Sequence, residues 1–132
     1  MNPQAVIEWH KIVQQRDPAL LDALLADDVV FLSPIVHHPQ VGKELTKTYL
    51  TAAIHVLDSR SFSYVGQWFG TDSAVLEFVT TIDGIEINGA DFITWNEDDR
   101  IVQFKVMVRP LKAINLLHQL MAAQLVKSKH RS

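Results

Sequence analysis

Asp91 is a lone carboxylate among apolar residues in a segment that reads as a β-hairpin, and a carboxylate placed that way can work as an acid. Val75 to Ile82 has the β-branched and aromatic content of a strand, Asp83-Gly84 reads as a two-residue turn, and Ile85 to Trp95 reads as the partner strand. With Ile82 opposite Ile85, antiparallel register puts Leu76, Phe78, Thr80 and Ile82 on the side of Ile85, Ile87, Gly89, Asp91 and Ile93. Glu77, Thr81, Glu86 and Asn88 fall on the other side. An acid on the apolar side is costly to ionise, so its pKa rises unless a cation or several donors hold the charge. Two readings follow. Asp91 is a structural anchor accepting from the Trp9 indole or from backbone donors, or it is a neutral acid facing a ligand.

His37 and His38 lie in a loop bracketed by prolines, where a histidine can serve as a general base at neutral pH or simply stand in solvent. They do not suit a metal: neighbours in an extended segment point opposite ways, and no third ligand follows at a recognised spacing, so no metal site is expected. Ser33 lacks a Gly-x-Ser-x-Gly elbow and reads as a hydrogen-bonding pocket residue rather than a nucleophile. His10 and His55 read as ordinary, partly buried or exposed histidines. The absence of cysteine excludes thiol catalysis, disulfides and thiolate metal sites. No glycine pattern fits a phosphate-binding loop, so no cofactor is expected.

These residues must be positioned by a few elements. Val6, Trp9, Ile12 and Val13 recur at helical spacing, and Asp17-Pro18 ends that helix and opens a second one predicted over Ala19 to Ala26. Asp27-Asp28 turns into a strand, Val29 to Leu32, closed by Ser33-Pro34. Lys43 to Leu57 reads as a third helix with Leu45, Tyr49, Ala52, Ala53 and Val56 as its buried stripe. Beyond Asp58 the period becomes two, with Phe62, Tyr64, Gly66 and Trp68 on one face, followed by the hairpin and a last strand from Ile101 to Val108. On that strand Phe104, Val106 and Val108 form the inward set, and Gln103, Lys105, Met107 and Arg109 the outward one. A final helix runs from Leu111 to Val126. Helices grouped early and antiparallel strands grouped late predict an α+β fold.

At 132 residues and 48% hydrophobic content the chain suits a single domain over 1–132. A net charge of −3 leaves no electrostatic footprint for nucleic acid, and the basic tail Lys127, Lys129, His130 and Arg131 reads as a solvated helix end. No apolar run approaches the roughly 20 residues that span a bilayer. Met1-Asn2-Pro3-Gln4 does not resemble a signal peptide, so a cytoplasmic location is expected.

Three pieces in this order resemble the SnoaL-like branch of the nuclear-transport-factor-2-like (ketosteroid isomerase-like) superfamily. They are Leu24 to Phe31 followed by Ser33-Pro34, Gly42 opening a helix, and Asp91-Phe92-Ile93-Thr94-Trp95-Asn96-Glu97-Asp98-Asp99-Arg100-Ile101. The resemblance covers essentially the whole chain. It implies a cone-shaped curved antiparallel sheet wrapped around the N-terminal helices, an apolar pocket, and a homodimer formed through the outer sheet face. Against ketosteroid isomerase, Asp91 matches the pocket acid kept neutral to donate to an oxyanion. The base aspartate that precedes a proline in that family is Ser33 here, and its pocket tyrosine is Trp9. Against limonene-epoxide hydrolase, the expected arginine is Gly89, so the water-activating set is incomplete. Because this fold hosts many activities, function must be argued from the site.

The sequence therefore predicts a pocket protein for an apolar carbonyl- or ether-bearing small molecule, with Asp91 as neutral acid and His37 or His38 as base. The walls are Trp9, Phe31, Ser33, Tyr49, Phe78, Ile93, Phe104 and Val106. The alternative is a non-catalytic dimeric module that binds a ligand or a protein.

Overall fold

The elements run α1 (Gln4–Gln15), a 3-10 turn (Pro18–Leu20), α2 (Leu21–Leu24), β1 (Leu25–Leu32), β2 (Gln40–Val41), α3 (Lys43–Val56), β3 (Ser63–Phe69), β4 (Ser73–Ile82), β5 (Ile85–Trp95), β6 (Ile101–Arg109) and α4 (Leu111–His130). This is a computed structural model, and it describes residues 2–57 and 60–130. Asp58 and Arg131 lie outside the described residues. The strands form one mixed sheet in the order β2-β1-β6-β5-β4-β3. The architecture is α+β, a curved, unclosed sheet with helices before and after it.

The central hairpin has the expected register. Asp83 and Gly84 both take positive φ, 52° and 75°, the backbone of a tight turn whose twist matches the strands. Ile82 therefore pairs with Ile85, and the ladder continues through Phe78 and Gly89 to Leu76 and Asp91. Gly89 is needed on this inner face: a Cβ there would lie 2.4 Å from Phe78 Cζ and 2.9 Å from the Met107 carbonyl oxygen.

Elsewhere the chain departs from the sequence expectations. The second helix stops at Leu24, because Leu25 and Ala26 are buried as the start of β1 and Leu25 pairs with Ile101. Tertiary pairing here overrides helix propensity. β1 runs parallel to β6, with an irregularity between Leu25 and Val30 that leaves Asp27 and Asp28 exposed, so the sheet is not purely antiparallel. On α3 the buried residues are Thr46, Leu50 and Ala52, while Leu45 is 40% exposed. The helix offers two overlapping apolar stripes, and the core takes the one through Leu50.

The change in β3 bears most on function. Tyr64 pairs with Phe78, but a bulge at Val65 sets Gly66 opposite Glu77, Gln67 opposite Leu76 and Trp68 opposite Val75. One extra residue exchanges the two faces beyond it. Gln67 takes the inner-face register at the edge of the sheet, where it stays exposed, and Trp68, expected inside, lies outside at 57% exposure with its ring folded over Gly66.

The main core joins Val6, Trp9 and Ile12 of α1 to Leu76, Ile93 and Phe104 of the sheet. A second cluster, Phe78 and Ile87 with Ala113 and Leu117, fixes α4 against the hairpin. No described helix is long and apolar enough to cross a membrane.

Candidate functional site

Between α1, α3, α4 and the inner face of the sheet lies a cavity of about 580 Å³. Trp9, His10, Val13 and Gln14 of α1 border it, with Leu50, Ala53 and Ile54 of α3, Leu117 and Met121 of α4, and Phe31, Ser33, Phe78, Asp91, Phe104, Val106 and Val108 from the strand side. Tyr64 and Gln67 of β3 border it at the bulge, and Arg16, the C-cap of α1, borders it as well.

Asp91 is 5% exposed and lines this cavity. Its Oδ2 accepts a 2.7 Å hydrogen bond from the Tyr64 hydroxyl, and the Tyr64 oxygen accepts a 2.9 Å bond from Trp9 Nε1. Among the described residues Oδ1 has no protein partner. It is not sealed either, since the one side-chain polar atom there that is both sealed and unpartnered is Thr46 Oγ1. Oδ1 therefore opens onto the cavity. Burial raises the Asp91 pKa to about 7, and the Tyr64 bond pulls it only partly back. Burial, followed by the Asp91 charge, pushes Tyr64 well above the ordinary phenol value, so Tyr64 stays a neutral donor.

The relay has a direction. An indole N–H can only donate, so Trp9 occupies a lone pair of the Tyr64 oxygen and leaves the hydroxyl hydrogen for Asp91 Oδ2. With Oδ2 an acceptor, the acid proton of neutral Asp91 belongs on Oδ1, the oxygen facing the cavity. Trp9 thus reaches Asp91 through Tyr64 rather than directly. Tyr64, on the inward set of its strand but 27 residues from Asp91, carries no local motif that marks it as the acid's partner.

Of the expected walls, Trp9, Phe31, Ser33, Phe78, Phe104 and Val106 line the cavity. Tyr49 instead stacks on Phe31 at 5.7 Å within the core, and Ile93 is buried in the same core; neither borders the cavity. The Ser33 hydroxyl accepts from the backbone N–H of Ile35 at 3.0 Å and of Val36 at 3.3 Å, so it shapes the turn after β1.

His37 and His38 are not brought to Asp91. Both are exposed, with rings 6.3 Å apart, and neither borders the cavity, because the loop carrying them runs outward into β2. The histidine at the cavity is His10. Its ring meets Tyr64 edge-on at 5.1 Å, and its Nε2 lies 3.4 Å from Gln67 Oε1. It follows Trp9 directly on α1, and its companion Gln67 depends on a bulge that residue periodicity does not reveal. Among the described residues no three histidine, aspartate or glutamate side chains converge as metal ligands.

The SnoaL-like domain family matches residues 6–104. A crystal structure of a steroid delta-isomerase from Pseudomonas aeruginosa is 34% identical over 96% of this chain and 92% of that one, with a TM-score of 0.90. An uncharacterised protein with a cystatin-like fold from Silicibacter pomeroyi is 29% identical over 92% of this chain and 84% of that one, with a TM-score of 0.84. A putative SnoaL-like polyketide cyclase from Shewanella denitrificans, 14% identical over 94% of this chain and 96% of that one, shares the fold at a TM-score of 0.63. No curated protein matches.

Proposed function

The chain belongs to the SnoaL-like domain family, and from that premise we propose that it is an acid–base enzyme acting on an apolar ketone, with Asp91 as neutral acid and His10 as base. The observation that carries this reading is the division of labour at Asp91: Tyr64 holds Oδ2, and Oδ1 is open to the cavity. A carbonyl oxygen placed there accepts from Oδ1–H, and the negative charge that develops on it during enolisation is stabilised by that prepositioned donor. His10 takes the proton from the adjacent carbon, and its return at a different carbon moves the double bond. The Gln67 oxygen favours the tautomer with hydrogen on His10 Nε2, leaving Nδ1 as the base nitrogen.

The Pseudomonas neighbour, a steroid delta-isomerase by name, supports a carbonyl-directed proton transfer. Ser33 stands where the ketosteroid isomerase base aspartate would be, so the base must come from elsewhere in the cavity. At about 580 Å³ the cavity suits a polyketide-like or terpenoid-like ketone of drug-like size.

The test is conversion of β,γ-unsaturated apolar ketones to their conjugated isomers, followed by ultraviolet absorbance. The wild-type protein should turn over at least one of them. His10→Ala should lower kcat by roughly 10² to 10⁴-fold while ketone binding persists. Ketones that bind without conversion would leave the second reading, a dimeric binding module. That reading draws on the outer sheet face, where Val65, Trp68 and Met107 are each more than half exposed at 56%, 57% and 54%. We place a second copy of the chain there. Sedimentation at micromolar concentration should give twice the monomer mass, and Trp68→Glu should return it to the monomer.

A further inference from the structure

The described residues give Asp91 no cationic partner. Among the described residues no lysine, arginine or histidine forms an ion pair with it, and its one bonded partner is the neutral Tyr64 hydroxyl. Around it the cavity wall is aromatic. The ladder puts Phe78 opposite Gly89, one inward position along β5 from Asp91, and Phe104 opposite Ile93, one inward position the other way. Phe78 belongs to a tight group with Phe62 at 5.3 Å and Tyr64 at 6.3 Å. Phe104 is met edge-on by Trp9 at 4.7 Å. The free carboxyl oxygen thus opens onto a cavity walled by two aromatic clusters.

We infer that this cavity also binds an organic ammonium ion, a secondary or tertiary amine with apolar substituents, through a hydrogen bond from its N–H to Asp91 Oδ1 and contact of its N-alkyl groups with the aromatic rings. A protonated amine supplies the cationic partner that the described residues do not give Asp91. Its alkyl groups, which carry part of the charge, suit aromatic faces better than water-filled polar sites. A carboxylate and an ammonium buried together form a charge-assisted pair stronger than a bond between neutral groups. The inference goes beyond the ketone chemistry and does not depend on turnover: it needs Asp91 ionised, where the enzyme reading needs it neutral. One site would then take two ligand classes with opposite pH preferences.

The probe is N,N-dimethylcyclohexylamine, titrated calorimetrically into the wild-type protein at pH 5.5 and pH 8.0. Arg16 also borders the cavity, and Tyr64 stays neutral over this range. His10, facing the cavity from α1, is the other ionisable side chain there, so the pair of titrations is repeated in His10→Ala. Affinity should rise on the order of 30-fold from pH 5.5 to 8.0 as Asp91 ionises, in both proteins. The gain should vanish in Asp91→Asn, whose fold is checked by an unchanged circular dichroism spectrum and cooperative urea unfolding. The same experiment on wild-type protein can be read from the Asp91 carboxyl carbon by NMR, where saturating amine should pull its titration well below 7. Equal affinity at the two pH values, or an Asp91 titration unmoved by the amine, overturns the inference. Either result leaves the isomerase assay untouched, so the two readings fail separately.

Discussion

Asp91→Asn is expected to remove a pH-dependent loss of stability on the order of 4 kcal/mol, the free energy of moving an aspartate pKa from about 3.9 to about 7. The sign follows from proton counts. Between about pH 4 and 7 the folded protein holds a proton on Asp91 that the unfolded chain has released, so the unfolded state binds fewer protons and stability falls as pH rises. Below that window both states are neutral at this position, and the native state keeps its full stability. Above it both are ionised, and the folded protein carries the cost of a buried charge. Asparagine keeps an acceptor for Tyr64 and never ionises, so its stability lacks this slope. Urea unfolding of both proteins at pH 4.5 and pH 8 gives the comparison. Other titrating groups act alike in the two proteins and cancel in the difference. The advantage of Asp91→Asn should grow by several kcal/mol between the two conditions. An advantage that stays constant would mean Asp91 ionises in the folded protein as it does in the unfolded chain.

That so large an effect could be anticipated at Asp91 rests on one short-range feature. Asp83-Gly84 takes the positive-φ turn its residue types prefer, and a two-residue loop leaves no freedom in pairing, so the inward set through Asp91 follows by alternation. The remainder of the site depends on contacts between segments distant in sequence. The Val65 bulge is invisible to periodicity because Phe62, Tyr64, Gly66 and Trp68 alternate without a break; only pairing with β4 shows that the strand changes face. That exchange gives Gln67 the inner-face register and sends Trp68 out. His10 was hidden for a related reason: it adjoins the buried Trp9 on a helix, and nothing local says that β3 would pass close enough to bring Tyr64 and Gln67 to it. His37 and His38 drew notice as a pair near prolines, yet a two-residue strand at Gln40–Val41 carries their loop along the sheet edge. On α3 the choice between two apolar stripes belongs to the sheet and not to the helix. In this fold local turn chemistry places the acid, and tertiary pairing supplies its partners.

Tyr64→Phe tests the direction of the relay by removing the single oxygen that both receives Trp9 and serves Asp91. Two effects should appear together. Trp9, only 4% exposed, loses the acceptor for its indole N–H, and the unpaired donor should cost about 1–3 kcal/mol in chemical unfolding at pH 5, where Asp91 is neutral in the folded protein. Asp91 loses the one bond that lowers its pKa, so its titration, followed at the carboxyl carbon, should move above 7. The window in which pH erodes stability should extend upward with it. A purely structural tyrosine would produce the first effect and not the second. The competing outcome is also definite: if the Trp9 indole swings onto the carboxylate, it replaces the lost donor, the Asp91 titration holds or falls, and the stability cost shrinks. Upward movement also bears on catalysis, because without Tyr64 nothing reserves Oδ2 as an acceptor, and the acid proton is shared between the two oxygens. Turnover of a ketone should then drop further than ketone affinity, since a donor aimed at the substrate oxygen matters most where charge develops in the transition state.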